Sequence, residues 1–173
     1  MKDIKIAFFS LIFLVSSLMA IDIGKVPSEV TLSGKDGSKI DGTTWSSSML
    51  KNKVHIVFYV DPDKKELNQE LTKKLKEKHF DRSKYGSVAI INLKATWMPN
   101  ILLESILKKK QKEFPDTLYV KDKNKVLVKK WNLADNNSDI LVFDKNGVLI
   151  YKKFGKLPKS QIKDLITLIE KNL

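Results

Sequence analysis

The chain has 173 residues, of which 42% are hydrophobic and 30% charged, a balance that suits one globular domain and excludes a wholly disordered or collagen-like polymer. It contains no cysteine, so disulfides, thiol catalysis, iron–sulfur clusters and thiolate metal sites are excluded together. The net charge of +12 is almost all lysine, with Arg82 the single arginine. Specific readers of nucleic acid favour the planar fork of arginine, and no aromatic stacking pattern is interleaved with these scattered lysines, so nucleic acid is not an expected partner.

The first twenty residues read as a secretory signal. Lys2 and Lys5 precede an apolar run over residues 6–18, and small residues then offer cleavage after Ala20. The run is short of the ~20 residues that a membrane-spanning helix needs. An uncleaved N-terminal anchor is the alternative. On the first reading the mature protein is residues 21–173, exported to the periplasm.

From there the pattern alternates strand and helix. Residues 30–32 and 39–40 flank the turn signal Lys35-Asp36-Gly37 and predict a small β-hairpin. A loop over 41–48 leads into Val54–Val60, nearly all apolar and β-branched or aromatic, as befits a central strand covered on both faces. Asp61-Pro62-Asp63 follows, then a helix with Leu67, Leu71 and Leu75 on one stripe; Asp63 with Glu66 three residues later fits a capping box. Residues 87–93 form the next buried strand. A loop through Lys94 and Trp97 reaches a second helix near Pro99, with Leu102, Leu103, Ile106 and Leu107 on its inner side. Residues 117–120 and 125–128 read as short strands of an inserted hairpin around Lys123-Asn124. Residues 140–143 and 148–151 form a hairpin closed by Asn146-Gly147, and a final helix from about Pro158 turns Ile162, Leu165, Ile166 and Ile169 inward.

Parallel strands joined by helices and ending in an antiparallel hairpin give an α/β three-layer sandwich. The order resembles the thioredoxin-like fold, with an added N-terminal β-hairpin. The phrases FYVDPDKKELNQEL, SVAIINLKATWMPN, KKKQKEFPDTLYVKDKNKVLVKKW and VFDKNGVLIYKKFGK are closely similar to the YtfJ family, small exported bacterial proteins of unknown biochemical function. The likeness spans roughly residues 24–172.

The thioredoxin-like resemblance implies a Cys-x-x-Cys pair between the first central strand and its helix, and a cis-proline facing it. Here those segments read Asp61-Pro62-Asp63-Lys64 and Asn136-Asn137-Ser138-Asp139, so both halves of the redox site are missing and no thiol oxidoreductase activity is expected. What remains is a candidate binding edge comprising Asp61, Pro62, Asp63, Lys94, Trp97, Asn100, Asp135 and Asp139. The leading expectation is a non-redox binding or adaptor module for an envelope protein or an anionic envelope component. The alternative is an enzyme using carboxylate or metal chemistry at the same edge. Asp61 and Asp63 also have a plain structural use, since carboxylates at a helix start accept unpaired backbone N–H groups. His55 is expected as a partly buried histidine with one hydrogen bond. His79 is expected at a helix end. Two isolated histidines do not make a zinc site, and no cofactor is expected. Intact mass of the protein recovered from the periplasm should correspond to a chain beginning at Ile21; a mass that includes residues 1–20 would contradict cleavage after Ala20.

Overall fold

The computed structural model describes residues 20–173. Its frame is a six-stranded mixed sheet of β2 (Gly37–Lys39), β6 (Thr117–Asp122), β5 (Tyr85–Asn92), β4 (Val54–Val60), β7 (Ser138–Phe143) and β8 (Leu149–Lys153), in that spatial order. β4, β5 and β6 are parallel, while β2, β7 and β8 run antiparallel to their neighbours. The apolar runs of β4 and β7 are buried along nearly their whole length because helices or a second layer cover both faces of the sheet.

Alternation along the strands divides the core. Ile56 and Phe58 of β4 and Ile140 and Val142 of β7 point to one face, where they meet Leu71 and Leu75 of α1 (Gln69–Glu77) and the inward side of α4 (Lys159–Asn172). On the same face, Ala89 and Ile91 of β5 receive Leu103 and Leu107 of α2 (Asn100–Glu113). Val57, Tyr59, Val88, Ile90 and Leu141 point to the other face. There they bury Trp131 and Leu127 of α3 (Val126–Trp131), together with a two-stranded sheet of β1 (Thr31–Leu32) and β3 (Trp45–Ser46). These are the three layers expected from the sequence.

Four local expectations are corrected. Residues 30–32 and 39–40 do not pair with each other: β1 pairs with β3, and β2 joins the edge of the main sheet beside β6. Gly37 makes that junction possible, because at φ 147° a Cβ would lie 2.0 Å from the Lys121 carbonyl oxygen. The Asp63–Glu66 capping box is absent as well. Asp61 caps a 3-10 turn at Pro62–Lys64, and α1 begins only at Gln69, after Asn68. On α2, Leu102 and Ile106 are 50% and 40% exposed, since only the Leu103–Leu107 stripe reaches the sheet.

The fourth correction is the inserted hairpin, whose second strand is instead helix α3. Asp122, the last residue of β6, is fully buried and explains the change. Its carboxylate accepts the backbone N–H groups of Asn124, Val126 and Leu127 at 2.9–3.2 Å and the Tyr59 hydroxyl at 3.1 Å. Satisfying three N–H groups at a helix start outweighs the weak strand preference of Val126 and Val128. Replacing Asp122 by Ala should lower unfolding free energy by about 2–4 kcal/mol, seen as a lower urea midpoint at unchanged slope. A midpoint equal to that of the parent protein would contradict the capping role.

Candidate functional site

The carboxyl ends of the parallel strands β4, β5 and β6 converge on one edge of the sheet, the end at which α/β proteins usually bind ligands. The chain leaves β4 at Asp61, which is 3% exposed. Its backbone N–H donates to the Asn137 carbonyl at 2.8 Å, and its Oδ1 accepts the Asp63 N–H at 2.9 Å. Burial raises the Asp61 pKa above the ordinary carboxylate value, and the Asp63 amide offsets part of this. Pro62 opens the 3-10 turn, where a missing N–H costs nothing. Asp63, the middle residue of that turn, accepts the Thr96 hydroxyl at 3.1 Å, which ties this corner to the loop after β5.

That loop is organised by Asn92, the buried last residue of β5. Asn92 accepts the Lys94 N–H at 3.2 Å and donates its amide to Asp135 at 3.0 Å. Lys94 itself is exposed, and so is Asn100, the first residue of α2. Trp97 is 89% exposed. Its backbone is nonetheless held: Thr96 bonds Asp63 and accepts the Met98 N–H, while the Met98 side chain packs against the α2 cluster. Asp135 pairs with Lys125, whose ammonium holds its carboxyl below the usual range.

Asp139 differs from the other members. It pairs across β7 with Tyr59 of β4 and has no exposed surface. Its Oδ2 accepts the Ala134 N–H at 2.8 Å, while Oδ1 makes no hydrogen bond. Burial pushes its pKa up to about 7, against the pull of the Ala134 and Gly155 amides. Asp139 therefore belongs to the floor of the edge and not to its surface. The Asp63–Thr96, Asn92–Asp135 and Asp61–Asn137 links join the segments that carry Asp61, Asp63, Lys94, Trp97 and Asp135 on the edge, while Asn100 lies past them at the start of α2.

The sequence reading missed Asn68. This buried side chain donates to the Ser138 carbonyl and hydroxyl and to the Gly155 carbonyl at 3.1–3.2 Å, and it accepts the Leu157 N–H at 2.9 Å. All four bonds are made by one amide, which joins the approach to α1, the start of β7 and the segment before α4. Its only sequence signal is a polar residue one position past Leu67 in an apolar stripe. Tyr59 and Asp122 form a second pair behind the edge, and burial beside Asp122 pushes the Tyr59 hydroxyl pKa upward. No group of three or more histidine or acidic side chains able to hold a metal ion occurs among the described residues.

The family model described as a bacterial protein of unknown function, YtfJ_HI0045, matches residues 18–172. The chain belongs to the YtfJ family. An uncharacterized protein of Haemophilus influenzae is 33% identical over 144 residues, covering 82% of this chain and 77% of that protein. Among solved structures, the thiol peroxidase of Chromobacterium violaceum superposes with a TM-score of 0.63 at 10% identity, over 88% of each chain. The exposed lipoprotein thioredoxin Etrx1 of Streptococcus pneumoniae superposes with a TM-score of 0.57 at 14% identity, covering 83% of this YtfJ chain and 99% of its own. These likenesses establish a thioredoxin-like fold. In the YtfJ chain, which has no cysteine, the corner after the first central strand is held by Asp61 and its 3-10 turn.

The Asp139 titration gives a test. A carboxyl whose folded pKa of about 7 lies above its ordinary 3.8 binds its proton more tightly in the folded chain. Its stabilising contribution is complete below about pH 4 and lost as pH rises through about 7. Asp139→Asn removes that titration and keeps an acceptor for Ala134. The variant's unfolding free energy relative to the parent protein should therefore improve by about 2–4 kcal/mol between about pH 4.5 and about pH 8. A difference that does not change with pH would contradict the burial of an ionisable Asp139.

Proposed function

We propose that this YtfJ protein is an exported, periplasmic binding module that has kept the thioredoxin-like scaffold without its thiol chemistry, and that it docks an acidic envelope protein on the edge carrying Trp97. One observation carries the reading. Trp97 is 89% exposed on a pinned backbone, and Ile101, Leu102 and Ile106 of the adjoining helix are 86%, 50% and 40% exposed. Side chains three and four apart on a helix are neighbours, so the face of α2 continues the apolar surface begun by Trp97. Lys94 in the Trp97 loop, and Lys64 and Lys65 beside the Asp61 turn, are exposed. An apolar anchor beside a cationic flank suits an acidic protein that offers its own apolar contact.

The rival, carboxylate enzymology at this edge, is less well supported. Enzymes of that kind bring carboxylates together in a pocket that substrate can enter. Asp139 is sealed from solvent, Asp61 is spent on its own turn, and Asp135 is paired with Lys125. Export is supported by the leader-like start of the sequence. Ile21 is buried and its N–H donates to the Trp131 carbonyl, so a chain cut after Ala20 would be anchored from its first residue.

The test is photocrosslinking in the native envelope from a probe replacing Trp97, with a probe at Lys129 on the opposite layer as control. An acidic protein should be captured at position 97 and not at 129, and Trp97→Ala with Ile101→Ala should weaken its purified complex about tenfold while stability stays within about 0.5 kcal/mol. Capture only from position 129 would place the docking face elsewhere. Adducts confined to lipid, released by salt from anionic vesicles, would replace the protein partner with the membrane surface. An insulin-reduction assay should show no turnover above the protein-free rate.

A further inference from the structure

At the other end of the sheet, where β4, β5 and β6 begin, the structure holds a cavity of about 730 Å³. Its walls come from the start of β4 and β5, the last turns of α2, and the connection between β2 and β3. None of the edge residues described above lines it. A volume of this size accommodates a small organic molecule.

The lining divides by chemistry. Ile40, Met49 and Leu118 supply apolar surface, over the buried Trp45, Leu50 and Val88. Gly86 is required in the wall: a Cβ there would lie 2.4 Å from the ring of His55, the residue it pairs with on β4, so only glycine lets the buried imidazole lie across β5. Around the opening stand Lys39, Lys53, Arg82, Lys108 and Lys112. The two acids of the lining are already engaged. Asp116 pairs with Arg82 at 2.9 Å, and Asp41 accepts both the N–H and the hydroxyl of Thr43. Lys53 donates to the Arg82 carbonyl, whereas Lys39, Lys108 and Lys112 have no carboxylate partner among the described residues.

A second, independent observation comes from inside the wall. Trp45 is fully buried and its indole N–H has no hydrogen-bond partner. A buried donor left unpaired is costly, and Trp45 belongs to the wall of this cavity.

We propose that this cavity is a binding site for an amphiphilic organic anion: a carboxylate or phosphate monoester head on an apolar body. The head meets the unpaired ammonium groups of Lys39, Lys108 and Lys112, and the body lies along Ile40, Met49 and Leu118, over the buried Trp45. This site is separate from the Trp97 edge, and either can fail without the other.

The experiment titrates the mature protein with octanoate, octyl phosphate and octanol, followed by calorimetry and by the indole N–H resonances of the tryptophans. The two anions should bind saturably with the Trp45 resonance moving, and octanol should bind at least about tenfold more weakly. The tighter of the two anions identifies the head group. Lys108→Glu with Lys112→Glu, both exposed, should weaken anion binding about tenfold, while Lys129→Glu with Lys130→Glu on α3 and Trp97→Ala should leave it unchanged. Equal binding of octanol, equal losses from both lysine pairs, movement of the Trp97 resonance in place of Trp45, or no saturation up to about 1 mM would each overturn the proposal.

Discussion

Asn68 is the interaction on which the candidate edge depends. Four hydrogen bonds from one buried amide hold together segments that lie far apart in sequence: the approach to α1, the first residue of β7, and the Gly155–Leu157 stretch ahead of α4. A strand end in a mixed sheet leaves backbone groups that must find partners or bear a desolvation cost. In this chain fixed polar side chains meet that need. Asp61 closes its own turn, Asn68 clamps β7, Asn92 orders the loop after β5, and Asp122 starts α3.

Asp61, Asn68 and Asn92 are committed to the fold, and Asp139, whose Oδ1 is buried without a partner, is shut away from solvent. What the edge presents outward is the indole of Trp97 beside the exposed side chains of Asp63 and Lys94. Trp97 is displayed because its neighbours on both sides are held, Thr96 by Asp63 and Met98 by the α2 core. A rigid exposed aromatic loses little entropy when it is covered, which is why such residues act as anchors in interfaces.

Much of the fold was legible in the sequence because its signals are local. β4 and the Ile140–Phe143 part of β7 are nearly all apolar, the last hairpin has its Asn-Gly turn, and α4 carries a clear stripe. The misreadings fall where the decisive contact is distant. Nothing near residues 30–40 says that β1 will choose β3 while β2 crosses to β6. Residues 125–128 have strand-like composition, and only the buried carboxylate of Asp122, itself fixed by Tyr59, turns them into helix. For the edge, the loop carrying Trp97 was legible after the second central strand, whereas Asp61-Pro62-Asp63 read as a helix start and proved to be a 3-10 turn. Asn68 was not legible, because a clamp spanning some ninety residues leaves no periodic trace. The cavity at the far end was equally hidden, as its walls come from five separate segments.

The edge is a closed structural lock, a property that native-state hydrogen exchange reads directly. The Asp61 amide bonded to Asn137, the Ala134 amide bonded to Asp139 and the Leu157 amide bonded to Asn68 should exchange only with global unfolding, at the protection of the central strands. Exchange of these three amides through a low-cost local opening, while β4 and β5 stay protected, would show a mobile edge and contradict the account.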